Sequence, residues 1–403
     1  MKSKLKAIVA SASLAAVSLS LAACGTGGGD GAKAAGSASA GANTVNITME
    51  NKDGKDVCTT SATEVAAGPT TFNVENKSAS SIIEVELLQE NRILGEKENL
   101  APGLAPVSFS VNLDGGDYEL YCPNGDPEEI DFKVTGEAVK PSGDTRTLLE
   151  AGAKDYGAYV QDQVGYMVDA TKKLSEAVDS GDVDAAKKAY ATARPFYEKA
   201  ESAVEQFGNP KDNSQFLDYL IDMRASNIDK KVGWSGFHAV ERDLWKSGKI
   251  TDGTKKYAKD LAANTVKLDD IVKKLTYTPE DLANGAAGLL EEVQTNKITG
   301  EEEAFSHLDL LDFQANVEGA AQAFSNLKPG LEKIDADLVK QIDEQFKNVD
   351  TTLDGYRDKS VPGGFKAWTP ELRKSDSKKL SQSVQKLQDP LAKLAEKIAT
   401  HQG

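Results

Sequence analysis

Glu129-Ile130-Asp131-Phe132-Lys133-Val134-Thr135-Gly136-Glu137-Ala138-Val139-Lys140-Pro141-Ser142-Gly143-Asp144-Thr145-Arg146-Thr147-Leu148-Leu149-Glu150 contains the change of period that divides the chain. Up to Val134 apolar and polar residues alternate, which is the two-residue repeat of a half-buried strand. Gly136 to Gly143, with Pro141 inside it, has the composition of a linker. From Thr147 onward apolar residues recur at i, i+3 and i+4, the repeat of an amphipathic helix. A β module before this stretch and an all-helical domain after it are therefore predicted.

Upstream, Val45-Asn46-Ile47-Thr48-Met49, Thr71-Phe72-Asn73-Val74-Glu75 and Val107-Ser108-Phe109-Ser110-Val111 alternate in the same way. Turn signals at Asn51-Lys52-Asp53-Gly54, Ala101-Pro102-Gly103 and Asp114-Gly115-Gly116 separate them. Short strands at this spacing predict a small β-sandwich over residues 44–137.

The first 23 residues have the layout of a targeting segment. Lys2, Lys4 and Lys6 precede a short apolar run from Ala7 to Leu21, and Leu21-Ala22-Ala23-Cys24 resembles a bacterial lipobox. The run is too short for a spanning helix. Cleavage before Cys24 would leave its thiol for lipid attachment and hold the protein outside the cytoplasmic membrane. Residues 24–43, rich in Gly, Ala and Ser, are expected to be a disordered tether.

Downstream, apolar positions at helical spacing run from Thr147 to Val178, with Gly181 as a stop and Asp182 as the next cap. Thr278-Pro279-Glu280-Asp281 and Thr369-Pro370-Glu371 place a threonine cap before a proline at the first helical position. About eight helices are expected across residues 144–403, as an all-α bundle domain of two stacked bundles. His238-Ala239-Val240-Glu241 and His307-Leu308-Asp309-Leu310 form a weak internal echo.

The chain is 403 residues long, 27% charged, with a formal net charge of −16. Such an acidic balance argues against nucleic acid and anionic membrane surfaces as partners and suits cations, although solubility explains it equally well. Cys24 aside, Cys58 and Cys122 form an even pair, for which a disulfide is the default in an oxidising compartment.

Only three histidines occur in the whole chain. His238 is followed at i+3 by Glu241, a spacing that puts both on one helical face, about 5–6 Å apart at Cβ, so that both can reach one cation. A buried, hydrogen-bonded histidine is the competing reading, since Trp234 and Phe237 precede it. Glu198 and Glu201 also share a helical face and fit either a metal or a solvated surface. Leu289-Leu290-Glu291-Glu292 is a further acid-bearing stretch. Glu301 to Glu303 is expected to open a helix, where acids favour the dipole. His307 with Asp309 and Asp312 fits either metal ligation or hydrogen bonding between helices. A His-Glu-x-x-His zincin motif, a Gly-x-Ser-x-Gly elbow, a Walker loop and a Rossmann glycine pattern are all missing from the sequence.

Several stretches resemble the EfeO family of extracytoplasmic components of bacterial ferrous-iron uptake systems. They are Gly236-Phe237-His238-Ala239-Val240-Glu241, Gly285 to Val293, Phe305 to Gly319, Asn99-Leu100-Ala101-Pro102-Gly103 and Tyr118-Glu119-Leu120-Tyr121-Cys122. The resemblance implies a cupredoxin-like β module followed by an imelysin-like helical domain. It implies iron, ferrous or ferric, bound by His238 and Glu241 with a carboxylate of Glu198 or Glu201, and with Asp309 and Asp312 as further candidates; zinc can compete for such donors. It also implies an iron permease and a haem-containing peroxidase as partners. The front module departs from the family pattern. Where relatives carry Cys-Glu-Pro-Met and Met-x-Cys, this chain has Cys58-Thr59-Thr60-Ser61 and Leu120-Tyr121-Cys122, and no histidine precedes His238. A His₂Cys copper centre cannot form there, which argues against copper and towards a Cys58–Cys122 disulfide; a Cys₂/Glu site with Glu84 or Glu86 is the alternative. The expected function is that of a lipid-anchored iron-binding protein rather than an enzyme. Its rival is a metallohydrolase using the same His/Glu site.

Overall fold

The computed structural model describes residues 42–90, 92–138, 142–205 and 207–401. The targeting segment, Cys24 and the tether up to residue 41 lie outside them. Among the described residues nine strands come first: β1 (Asn43–Lys52), β2 (Lys55–Thr60), β3 (Glu64–Ala66), β4 (Gly68–Asn76), β5 (Val85–Gln89), β6 (Arg92–Lys97), β7 (Val107–Leu113), β8 (Gly116–Tyr121) and β9 (Glu129–Thr135). They form a four-stranded sheet in the order β2-β1-β4-β7 and a five-stranded sheet in the order β3-β9-β8-β5-β6. β1 runs parallel to β4, and β3 parallel to β9; the other pairs are antiparallel.

The alternation seen in the sequence becomes the two faces of each sheet. Along β4 every second residue is buried, from Gly68 through Phe72 to Asn76. Phe72 stacks on Phe109 of its own sheet at 5.0 Å and meets Phe132 of the opposite sheet edge-on at 5.5 Å. Aromatic pairs of this kind add roughly 0.5–1.5 kcal/mol beyond the area they bury. Cys58 and Cys122 are joined as a disulfide.

The helices follow as α1 (Asp144–Ser180), α2 (Val183–Glu198), α3 (Glu201–Val204), α4 (Leu217–Asp222), α5 (Gly236–Glu241), α6 (Asp252–Val272), α7 (Pro279–Glu292), α8 (Asp309–Ile334), α9 (Ala336–Asp354), α10 (Pro370–Leu391) and α11 (Leu394–Thr400). The predicted punctuation holds. Gly181 ends α1 in the left-handed region, Asp182 accepts a hydrogen bond from the Ala185 N–H, and Thr278 with Asp281 makes a reciprocal capping box. α1 lies along α2, α6 and α8, while α7 and α11 pack against β7. Lys97 reaches Glu291 at 2.6 Å across the boundary between strands and helices.

Two expectations need correction. Eleven α-helices are present among the described residues, because several short ones are too brief to show a periodic pattern. Their buried apolar residues, from Leu149 to Ile398, form one continuous core. Glu301 to Glu303 opens no helix: a turn runs on to α8, and Glu302 and Glu303 are buried within it. No described helix is long and apolar enough to cross a membrane.

Candidate metal centre

The ends of several helices converge on one buried cluster of charges. Glu198 is the last residue of α2 and Glu201 the first of α3; Asp222 ends α4, Glu292 ends α7, and His238 and Glu241 lie on α5. Glu302 and Glu303 come from the turn, and Asp309 and Asp312 from the first turn of α8. Asp309 and Asp312 sit favourably at a helix N-terminus, whereas Glu198 and Glu292 face the negative ends of α2 and α7. Carboxylates in that second position call for positive charge beside them.

Part of that charge comes from the chain itself. Arg194, one turn before Glu198 and fully buried, ion-pairs with Asp222 and Glu198, and reaches Glu302 at 2.7 Å, Glu303 at 3.3 Å and Asp312 at 3.4 Å. Lys297 ends a π-helical turn, Val293–Lys297, that follows α7. Such turns are frequent at functional sites. Its Nζ lies 3.3 to 3.5 Å from Glu198, Glu201, Glu292 and Glu302. An ammonium gripped by a carboxylate would stand at about 2.7–2.9 Å, so Lys297 sits in a four-carboxylate cage without a tight bond to any wall.

His238 and Glu241 meet on one side of α5, as the i+3 spacing suggested. His238 Nδ1 hydrogen-bonds Glu241 at 3.0 Å. The other oxygen of Glu241 accepts the Phe305 and Ser306 N–H groups at 2.8 and 2.7 Å. Glu241 therefore orients the imidazole and pins the turn. The Nε2 side of His238 faces Glu302 at 3.3 Å and Asp222 at 3.6 Å.

Potential ligand atoms of Asp222, His238 and Glu302 lie within 4.8 Å of one another, as do those of His238, Glu241 and Glu303, and those of Glu198, Glu201 and Asp222. Asp309 and Asp312 belong to the cluster but to none of these groups; Asp309 accepts the Glu303 N–H at 3.1 Å. Both Asp312 oxygens lack a hydrogen-bond donor. His307 lies outside the centre, at φ 60° in the turn before α8, so its likeness to His238 ends with the sequence. In the β module Glu84 and Glu86 gather with Glu96 rather than with the bonded cysteines.

Among the described residues, nine buried carboxylates (Glu198, Glu201, Asp222, Glu241, Glu292, Glu302, Glu303, Asp309 and Asp312) surround buried Arg194, Lys297 and His238. Acids outnumber cations, and the protonation states reflect it. Burial, together with neighbouring carboxylates, holds Glu201, Asp309 and Asp312 well above the ordinary carboxyl range, and burial does the same to Asp222 despite Arg194. Burial and the charge of Glu241 push Glu303 up to about 7. Glu302 goes the other way: burial opposes its charge, but Lys297, Arg224, His238 and Arg194 keep it ionised. Burial also opposes a charged His238, yet its hydrogen bonds to Glu241 and Glu302 prevail and hold its pKa well above that of a free imidazole.

Reading the sequence missed Arg194, Asp222 and Lys297, and took Glu302 and Glu303 for a helix start although they are buried in the cluster. One signal was available: Tyr190, Arg194 and Tyr197 share a face of α2 at i, i+4 and i+7, and both tyrosines are fully buried.

The approach of α5 to α4 depends on one glycine. Gly236 has φ +68°, and a Cβ there would overlap the Ile221 carbonyl oxygen, next to Asp222. Gly236→Ala is expected to destabilise the fold by roughly 1–3 kcal/mol from backbone strain alone. It should also separate His238 from Asp222, read as a lower thermal midpoint together with weaker metal binding.

A family model described as imelysin, peptidase M75, matches residues 152–394. The iron uptake system component EfeO of Escherichia coli strain K12 is 34% identical over 355 residues, covering 87% of this chain and 90% of that protein. EfeO of Shigella flexneri matches at the same identity and coverage. The chain belongs to the EfeO family, with an imelysin domain as its helical part.

Proposed function

We propose that this protein captures iron outside the cytoplasmic membrane and passes it to a permease, as a lipid-anchored binding component of an iron uptake system. The observation that supports this best is the excess of buried carboxylates around His238 Nε2, which a multivalent cation would balance. His238, Asp222 and Glu302 supply the first donors and Glu198 and Glu201 extend the set, while Glu241 orients the imidazole. Oxygen donors with one imidazole suit iron, and zinc can compete. Anchorage would run through Cys24, and a haem-containing peroxidase of the same system would be a further partner. Binding fits better than peptide hydrolysis. The cavity beside the cluster measures about 20 Å³, room for about one water and not for a peptide.

Anaerobic titration of ferrous iron, with a parallel ferric series, tests the reading. The parent protein is expected to bind iron stoichiometrically, to melt at higher temperature when loaded, and to hydrolyse no peptide. His238→Ala and Asp222→Ala should each weaken binding strongly; variants that bind like the parent would contradict the assignment.

A further inference from the structure

Two cavities meet at the boundary between strands and helices. The outer one, about 460 Å³, is lined from the β module by Ile83, Glu84, Glu98 and Asn99 and from the helical side by residues including Ser226 and Glu301. The inner one, about 20 Å³, touches Glu201 and Asp222, two donors of the proposed centre. Glu98, Arg224 and Asn227 line both. They form the neck between an open vestibule and the buried cluster.

The neck joins the two parts of the chain. Glu98 follows the last residue of β6, and Arg224 comes two residues after the end of α4. Arg224 is the one cationic residue among the described residues around either cavity; Glu84, Glu98 and Glu301 make the vestibule otherwise acidic. Its guanidinium spans the passage, 3.0 Å from Glu292, 3.4 Å from Glu302 and 3.8 Å from Glu301, with its side chain 18% exposed. Asn227 fixes the start of this loop by accepting the Arg224 N–H at 2.7 Å.

We infer that this vestibule is the way in for the cargo, that Arg224 bars the neck until a cation takes its place among Glu292, Glu301 and Glu302, and that the ion enters stripped of any chelator. The inference rests on the iron-binding reading above. An acidic funnel with low-dielectric walls concentrates cations at its mouth. A chelated complex fits a space of about 460 Å³ but not one of about 20 Å³. The arriving ion and the guanidinium compete for the same oxygens, so Arg224 sets the rate of loading and release while the donors beyond it set the affinity.

Stopped-flow loading of the full-length protein with ferrous iron provides the test, followed by loading from radiolabelled ferric citrate and gel filtration. Arg224→Gln should speed both association and dissociation, and Glu98→Lys, which places a repelling charge in the neck beside Glu292 and leaves His238, Asp222 and Glu302 unaltered, should slow association about tenfold, within the range of electrostatic steering. Iron should elute with the protein and citrate should not. Parent-like rates in both variants, or citrate co-eluting one-to-one with iron, would overturn the inference while leaving the metal centre intact. A parent protein that binds no iron would remove the centre itself, and the inference with it.

Discussion

Glu302→Gln is expected to leave the helices folded and to weaken iron binding by more than about a hundredfold, beyond the 10–100-fold that outer-shell partners of a metal usually carry. One oxygen of Glu302 faces His238 Nε2 and accepts from Arg194; the other lies 3.4 Å from both Arg224 and Lys297. It is the only carboxylate in contact with all four of these groups among the described residues. The amide keeps the shape but gives up the charge that draws the cation. Glu302→Ala should do more damage. Removing one partner from a buried ion-pair network typically costs about 3–5 kcal/mol, because the charges left behind have neither water nor a counter-ion. Thermal unfolding and isothermal iron titration of the two variants separate loss of ligation from loss of fold.

Iron binding is also expected to release protons and to weaken by at least about tenfold per pH unit as pH falls from about 7.5 to 5.5, since each proton that must leave contributes one such factor. Glu303, raised to about 7, and Glu201, Asp222, Asp309 and Asp312, each raised well above the ordinary carboxyl range by burial, hold protons in the iron-free protein that a bound cation displaces. Stability of the iron-free protein follows from the same shifts. Between about pH 4.5 and 7 the native state keeps a proton on Glu303 that the unfolded chain has lost, so this group makes the native state less stable as pH rises through that window. Glu302, with its pKa depressed, has the opposite sign: its stabilisation is present above its unfolded value and is lost only in stronger acid. Loading in weakly buffered solution with a pH electrode counts the protons directly; uptake of iron without proton release would contradict the protonation pattern.

The division into sandwich and helical domain was legible because it rests on local periodicity. Burial alternates along β4 as its residues do, and the threonine caps at Thr278 and Thr369 stand where their prolines placed them. His238 could be singled out because histidine is rare in this chain and Glu241 follows at helical spacing. The partners of His238 could not be read in the same way. Asp222, Glu302 and Lys297 reach the centre from three separate elements, and a buried charge has the same letter as a solvated one. Only the fold reveals that Lys297 lies among four carboxylates, or that Glu241 accepts hydrogen bonds from the Phe305 and Ser306 N–H groups while its other oxygen meets His238. Glu301 to Glu303 misled for a physical reason. A run of acids commonly marks a helix start, but here Glu241 accepts the N–H groups of Phe305 and Ser306 and holds the segment as a turn.

Anomalous diffraction at the iron absorption edge from crystals of the iron-loaded protein tests the central claim most directly. The expected result is a peak enclosed by helix ends, about 2.0–2.2 Å from His238 Nε2 and from oxygens of Asp222 and Glu302, the usual range for imidazole and carboxylate on a divalent first-row ion. A peak found only at surface carboxylates or in the β module, with His238 still paired to Glu302 and no density between them, would contradict it.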